Sequence, residues 1–317
     1  MQAADIALGN ERWLAPGRFR WAKAIVWLCV LAVLCIAAFN FTADAALRLA
    51  AILSGEVFTS RADAPTGARL VAVIVGSVAM LGTYALAVGF VERRKVPELG
   101  LRYLIPELGM GLAIGGLLIV MIIGSMWVAG WVDITATPVT HIAESLKQAV
   151  QTGVIEEVLM RLIIFRLLWR AAGVFPALIL TALLFGGLHL SNPDATIFAG
   201  LCLVAGEGVG IGLYLLTGRV WMSIGWHAGW NFTQGWIFGG VVSGLSNFPG
   251  GPLQTRPTQG VAEILSGGGF GPEASISALI VSLLASLLFL GLVWKKGRFS
   301  LIEDRHSAKD RTEVKLA

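Results

Sequence analysis

The chain has 317 residues, of which 56% are hydrophobic and only 14% charged, at a mean hydropathy of +0.76. Those values exclude a soluble globular domain and describe a multi-pass membrane protein, all-α and polytopic. The net charge of +4 is not a nucleic-acid signature, because Lys and Arg gather at the ends of apolar segments, where anionic lipid is their expected partner. Cys29, Cys35 and Cys202 offer neither a CxxC pair nor a disulfide framework and read as small buried hydrophobes.

Eight apolar runs follow one another, each close to the roughly 20 residues that a helix needs to cross about 30 Å of hydrocarbon. The first, 22–42, comes after Arg12, Arg18, Arg20 and Lys23. Ala43-Asp44-Ala45 imitates a signal-peptidase site, but the run exceeds the roughly 7 to 15 apolar residues of a leader, so a retained helix is expected. The second, 69–91, ends in Arg93-Arg94-Lys95, and a polar stretch at 96–102 leads to the third, 108–132. The fourth, 142–170, holds Glu156, Glu157 and Arg161 in its middle and Arg166 and Arg170 at its far end. After Gly173 and Pro176 a short fifth run ends at His189, before Ser191-Asn192-Pro193-Asp194. A Gly-rich sixth covers 196–216, and Thr217-Gly218-Arg219 turns into the seventh, 220–240. The loop 241–273, rich in Gly, Pro and Ser, is open between a lid and a slack connection; the last run, 274–294, closes on Lys295-Lys296.

The division is therefore a cytoplasmic segment 1–21, a helical membrane domain 22–294 with its motif core at 142–240, and a charged cytoplasmic tail 295–317. Eight crossings put both termini on one side. Arg93 to Lys95, Arg166, Arg170, Arg219 and Lys295 to Arg298 fall on that side, which the positive-inside rule makes cytoplasmic, in the cell (inner) membrane. Gly111 with Gly115, Gly206 with Gly210, and Gly225 with Gly229 stand four apart, a spacing that lets helices approach closely. A phosphate-loop reading of 206–212 lacks its preceding strand.

The stretch 154–165 places two adjacent carboxylates in an apolar run. A charge at the bilayer centre costs about 2.5 to 3.5 kcal/mol on insertion scales, so Glu156, Glu157 and Arg161 should face protein or water. Glu157 and Arg161 are four apart and can pair on one helix face, whereas Glu156 lies about 100° round the helix and is left free. A structural ion pair beside a carboxylate in a wet groove would read the same way.

Groups that could answer Glu156 lie on other runs. Of four histidines, His141 and His306 read as surface residues, while His189 and His227 sit in apolar runs. Asn231, four residues after His227, shares its helical face. A carboxylate and two imidazoles, Glu156, His189 and His227, suit zinc or another divalent metal with a fourth position for water. Without metal the same groups permit hydrolysis, with Glu156 as general base, His189 positioning water, and His227 with Asn231 facing the oxyanion. Two features sit awkwardly: Glu207, a further acid in the sixth run, reads as structural, and counting from the run ends puts His227 about 9 Å shallower than Glu156 and His189.

Glu156-Glu157-x-x-x-Arg161, Phe185-x-x-x-His189 and His227-x-x-x-Asn231, in this order on successive helices, resemble the CPBP family of intramembrane proteases, which includes CAAX-processing endopeptidases and bacteriocin-processing or self-immunity proteins. The likeness spans Glu156 to Asn231, and Gly212 to Trp221 also looks like the family. It implies that Glu156 activates water, Glu157 and Arg161 support it, His189 holds the metal or water, and His227 with Asn231 completes the site. The substrate it implies is a membrane-associated or lipidated protein or peptide tail reached from the bilayer. Two rivals stand beside it: a proton-coupled transporter with Glu156, Glu157 and Glu207 as a relay, and a catalytically silent immunity or scaffold member of the same family.

Overall fold

Long apolar runs with few breakers become helices here, in a computed structural model that describes residues 2–9, 12–58 and 60–300. From 301 onward the charged tail, with His306, lies outside the described residues. In chain order the elements are α1 (Arg20–Ser54), α2 (Thr66–Ala87), α3 (Leu104–Val128), β1 (Val132–Ala136), α4 (Ile142–Glu157), α5 (Arg166–Ala172), α6 (Val174–Leu188), α7 (Ile197–Thr217), α8 (Trp221–Phe232), β2 (Leu253–Pro257), α9 (Glu263–Ser266) and α10 (Ile276–Lys295).

Among the described residues six helical segments are long and apolar enough to cross a membrane: Arg20–Ser54, Thr66–Glu92, Pro97–Val128, Val174–Ser191, Ile197–Thr217 and Ile276–Lys295. The fourth and seventh runs expected from hydropathy are also helical but do not join this set. The fourth is α4, a π-helical stretch Val158–Phe165 and α5, and it is studded with polar side chains. The seventh is α8 and a short π-helical extension, Thr233–Ile237. Both are interior: Val158, Arg161, Leu162 and Ile163 on one, and Trp221 to His227 on the other, are buried. A helix walled by protein has no need of an apolar perimeter, which leaves these two free to carry charge.

The closest helix contact follows from the glycine spacing. A Cβ on Gly111 or Gly115 of α3 would run into the backbone of α8 at Met222 and Trp226, and one on Gly225 or Gly229 of α8 would strike Leu108 or Leu112 of α3. Two glycine pairs thus interlock, bringing α8 and its motif residues to a fixed place against α3.

Four of the arginines at the segment ends, Arg94, Arg166, Arg170 and Arg219, are bonded within the protein. Arg166 forks onto Glu92 with two bonds of 2.8 Å, Arg94 bonds Glu92 at 2.8 Å and Glu98 at 2.7 Å, and Arg219 bonds Glu107 at 2.8 Å. Arg170 donates to the Leu14 carbonyl at 2.7 Å. The acids among the described residues near these ends consume the positive charges, as buried guanidinium groups require.

The loop 241–273 is folded. Its β2 pairs antiparallel with β1, Val132 opposite Pro257 and Ala136 opposite Leu253, and its first part turns back over the bundle so that Val242, Ser243 and Phe248 border an internal cavity.

Candidate active site

The site begins where α4 ends. Immediately after Glu156-Glu157 the helix widens into the π-helical stretch, a distortion that recurs at functional positions because it re-aims the side chains that follow. Glu157 is fully buried and accepts from Arg161 Nε at 2.8 Å and Nη2 at 3.1 Å. The pairing expected from the spacing of four is therefore present. Arg161 also bonds Glu207 of α7, through Nη1 to Oε1 and through Nη2 to Oε2 at 3.2 Å, so one guanidinium lies between two buried carboxylates. Gly210, three residues after Glu207, makes the room: a Cβ there would overlap that guanidinium.

Glu157 has a third partner, His227, whose Nδ1 lies 3.0 Å from its Oε1. An ionised carboxylate only accepts, so Nδ1 carries the hydrogen. The Nε2 of His227 faces Glu156, whose Oε2 is 3.6 Å away. The two neighbouring glutamates divide as the 100° helical step dictates. Glu157 is sealed behind the site at 0% exposure and Glu156, at 30%, opens into the cavity.

His189 begins a 3-10 turn, His189–Ser191, at the end of α6. Its Nδ1 is 2.8 Å from the Phe185 carbonyl, an acceptor only, so Nδ1 carries the hydrogen in His189 as well. The Phe185 ring lies beside both imidazoles, with centroids 4.6 Å from His189 and 6.3 Å from His227. Asn231 donates through Nδ2 to Thr152 Oγ1 at 3.1 Å, and Thr152 stands one turn before Glu156 on α4.

Glu156, His189, His227 and Asn231 border one cavity of about 260 Å³, walled on its apolar side by Phe185, Trp226 and Trp230. Glu157 and Arg161 do not enter it and act from behind. The depth mismatch inferred from run ends does not keep the groups apart, since Glu156 Oε2 lies 3.6 Å from His227 Nε2. Glu207, which the sequence left without a role, is the second counter-ion of Arg161.

The donor set can be tested against a divalent metal. Both imidazoles spend Nδ1 on an outer acceptor and aim Nε2 inward, the orientation that metal-bound histidines adopt. Glu156 and His227 are close enough to share one ion. Yet among the described residues no three His, Cys, Asp or Glu side chains form a group able to hold one, so His189 does not close a three-ligand set here. Three contributors to the cavity went unread in the sequence: Thr152, which orients Asn231, and Glu273 and Ser243 from the loop. Thr152 could have been found from its spacing of four before Glu156; Ser243 and Glu273 carry no local signal.

A family model described as Type II CAAX prenyl endopeptidase Rce1-like matches residues 138–233, a segment that contains all six motif residues from Glu156 to Asn231. No curated protein and no solved structure matches the chain.

Proposed function

We propose, because residues 138–233 match the Rce1-like type II CAAX prenyl endopeptidase model, that this integral membrane protein hydrolyses a peptide bond in a membrane-associated or lipidated protein or peptide tail. One observation carries the reading: a partly open carboxylate, Glu156, faces Nε2 of His227 in a cavity that also takes in His189 and Asn231. Glu156 removes a proton from water as the water oxygen attacks the carbonyl carbon, and returns that proton to the leaving amine when the C–N bond breaks. His189 holds the water against the substrate. Asn231, steadied by Thr152, donates to the oxyanion.

His227 is the orienting group. Its Nδ1–H is fixed by Glu157, and Glu157 is fixed by Arg161, so the imidazole cannot turn away from Glu156. A zinc or other divalent ion, if bound, would be held by Glu156 and His227 with His189 as third ligand, and would supply a Lewis acid that lowers the pKa of water. In the ion-free form Glu156 alone is the base. On this reading a substrate enters the cavity laterally from lipid, and both termini lie on the cytoplasmic side, where the positive-inside rule puts the basic residues.

The test is reconstitution of wild-type protein and the variants Glu156→Gln and His227→Ala in liposomes, with membrane-anchored peptides as substrates and mass spectrometry of the products, alongside metal analysis of the wild type. A defined cut made by the wild type and lost in both variants supports the reading, and stoichiometric metal lost in His227→Ala establishes the metal form. Turnover equal in all three refutes it. Ion or solute flux without cleavage would instead assign a carrier.

A further inference from the structure

From its placement we infer that Glu273 is a positioning residue: its carboxylate latches the loop over the catalytic cavity and, through that loop, fixes the elements that carry His189 and His227. Glu273 lies outside the motif core, in the short turn before α10, yet it is only 3% exposed and borders the cavity. Its Oε1 accepts from the Ser243 amide at 2.5 Å and from Ser243 Oγ at 2.6 Å, and its Oε2 accepts from Trp230 Nε1 at 3.1 Å. Three donors from two separate segments converge on one carboxylate. Such charge-assisted bonds are about twice as strong as neutral ones, and a buried carboxylate is costly unless fully answered.

The two segments are the ones the chemistry needs. Trp230 is on α8, three residues after His227 and one before Asn231, so the indole bond ties the catalytic helix to α10. Ser243 holds a left-handed backbone at φ +49°, which non-glycine residues adopt only when their surroundings impose it. Its carbonyl accepts from Asn192 Nδ2 at 2.9 Å, three residues after His189. Next to it, the Gly244 amide bonds the Phe270 carbonyl at 2.8 Å, closing the loop on its own far end. Glu273, Ser243 and Asn192 thus form a continuous bonded path from the turn before α10 to the turn that begins at His189. A group that served only to fill a gap would not reach both imidazole-bearing elements.

The native cysteines report on this latch without turnover. Cys202 borders the cavity at 2% exposure, whereas Cys35, at 0%, is buried against other helices far along the chain. Full-length wild type, Glu273→Gln and Ser243→Ala in liposomes are treated with N-ethylmaleimide and labelling is read at each cysteine by peptide mass. Glu273→Gln turns an acceptor into an N–H facing a donor, so the rate at Cys202 relative to Cys35 should rise at least about tenfold; because loss of the Glu273 charge by itself also speeds thiolate attack at Cys202, the rise must appear in Ser243→Ala as well, smaller there since the amide bond is kept. An unchanged ratio overturns the latch, including the case in which both cysteines speed up together through general loosening. The positioning role rests on the hydrolase reading and is read separately as kcat and KM: kcat should fall by about 10- to 100-fold with KM little changed. Wild-type kcat with an opened Cys202 overturns positioning. A wild type that cuts nothing refutes the hydrolase reading instead, and the labelling ratio still decides the latch.

Discussion

Gly210→Ala perturbs the site's support by one methyl group. The new Cβ would lie 2.7 Å from Arg161 Cζ and 2.8 Å from a ring carbon of Trp226, and would overlap a guanidinium nitrogen. Carbon contacts need about 3.5 to 4.0 Å, so Arg161 or α7 must give way by about 1 Å. The guanidinium cannot slide freely, since Glu157 and Glu207 grip it from two sides. Losing one such bond costs about 1.5 to 3 kcal/mol and overpacking about 1 to 3, so Gly210→Ala should destabilise the fold by about 3 to 6 kcal/mol. The assay is equilibrium unfolding in mixed micelles followed by tryptophan fluorescence, run as a cycle with Arg161→Met. In the Arg161→Met background the methyl meets a pliable thioether and only the Trp226 contact remains, so adding Gly210→Ala should cost about 1 to 3 kcal/mol, clearly less than in the wild type. A cost of Gly210→Ala that is equal in both backgrounds would show that the clash is not with the guanidinium.

Three further outcomes follow from the same geometry. Glu207→Gln keeps an oxygen for Arg161 and should lose about 1 to 3 kcal/mol in that unfolding assay, less than the roughly 3 to 5 of Arg161→Met, which strands two buried carboxylates; the reverse order would deny Glu207 its place as counter-ion. Thr152→Val should lower kcat by about tenfold by freeing the Asn231 amide, against about 10²- to 10³-fold for Asn231→Ala. Equal kcat in Thr152→Val and wild type would remove Thr152 from the site. Gly115→Val should abolish monodisperse folded protein on size-exclusion chromatography, because its side chain meets the Trp226 carbonyl and Trp230 amide; a normal elution profile would contradict the interlock of α3 and α8.

Much of the site was legible because its chemistry is local. Glu157 and Arg161 pair across one helical turn, His227 and Asn231 share a face, and the glycine spacing of four marks where α3 and α8 touch. What stayed hidden depends on neighbours distant in sequence. Glu207 has no partner within its own helix; Arg161 answers it from 46 residues away. Hydropathy located every long helix but could not rank interior against lipid-facing ones, since α4 and α8 are polar for the reason that protein surrounds them. Charge placement marked the segment ends, while the bonds of Arg166 to Glu92, of Arg219 to Glu107 and of Arg170 to the Leu14 carbonyl join residues far apart in sequence and leave no local signal. The loop read as slack or lid from its Gly and Pro content, and only the contacts of Glu273 and the pairing of β2 with β1 give it a shape.

The proposal that a carboxylate in this cavity drives peptide hydrolysis is tested most directly by the rate at which Glu156→Gln cuts a substrate that the wild type cleaves, both at matched folded concentration in the same liposomes. The variant should retain the wild-type fold and cut slower by about 10²- to 10⁴-fold, the contribution of a positioned general base. Cleavage at the wild-type rate would contradict the account.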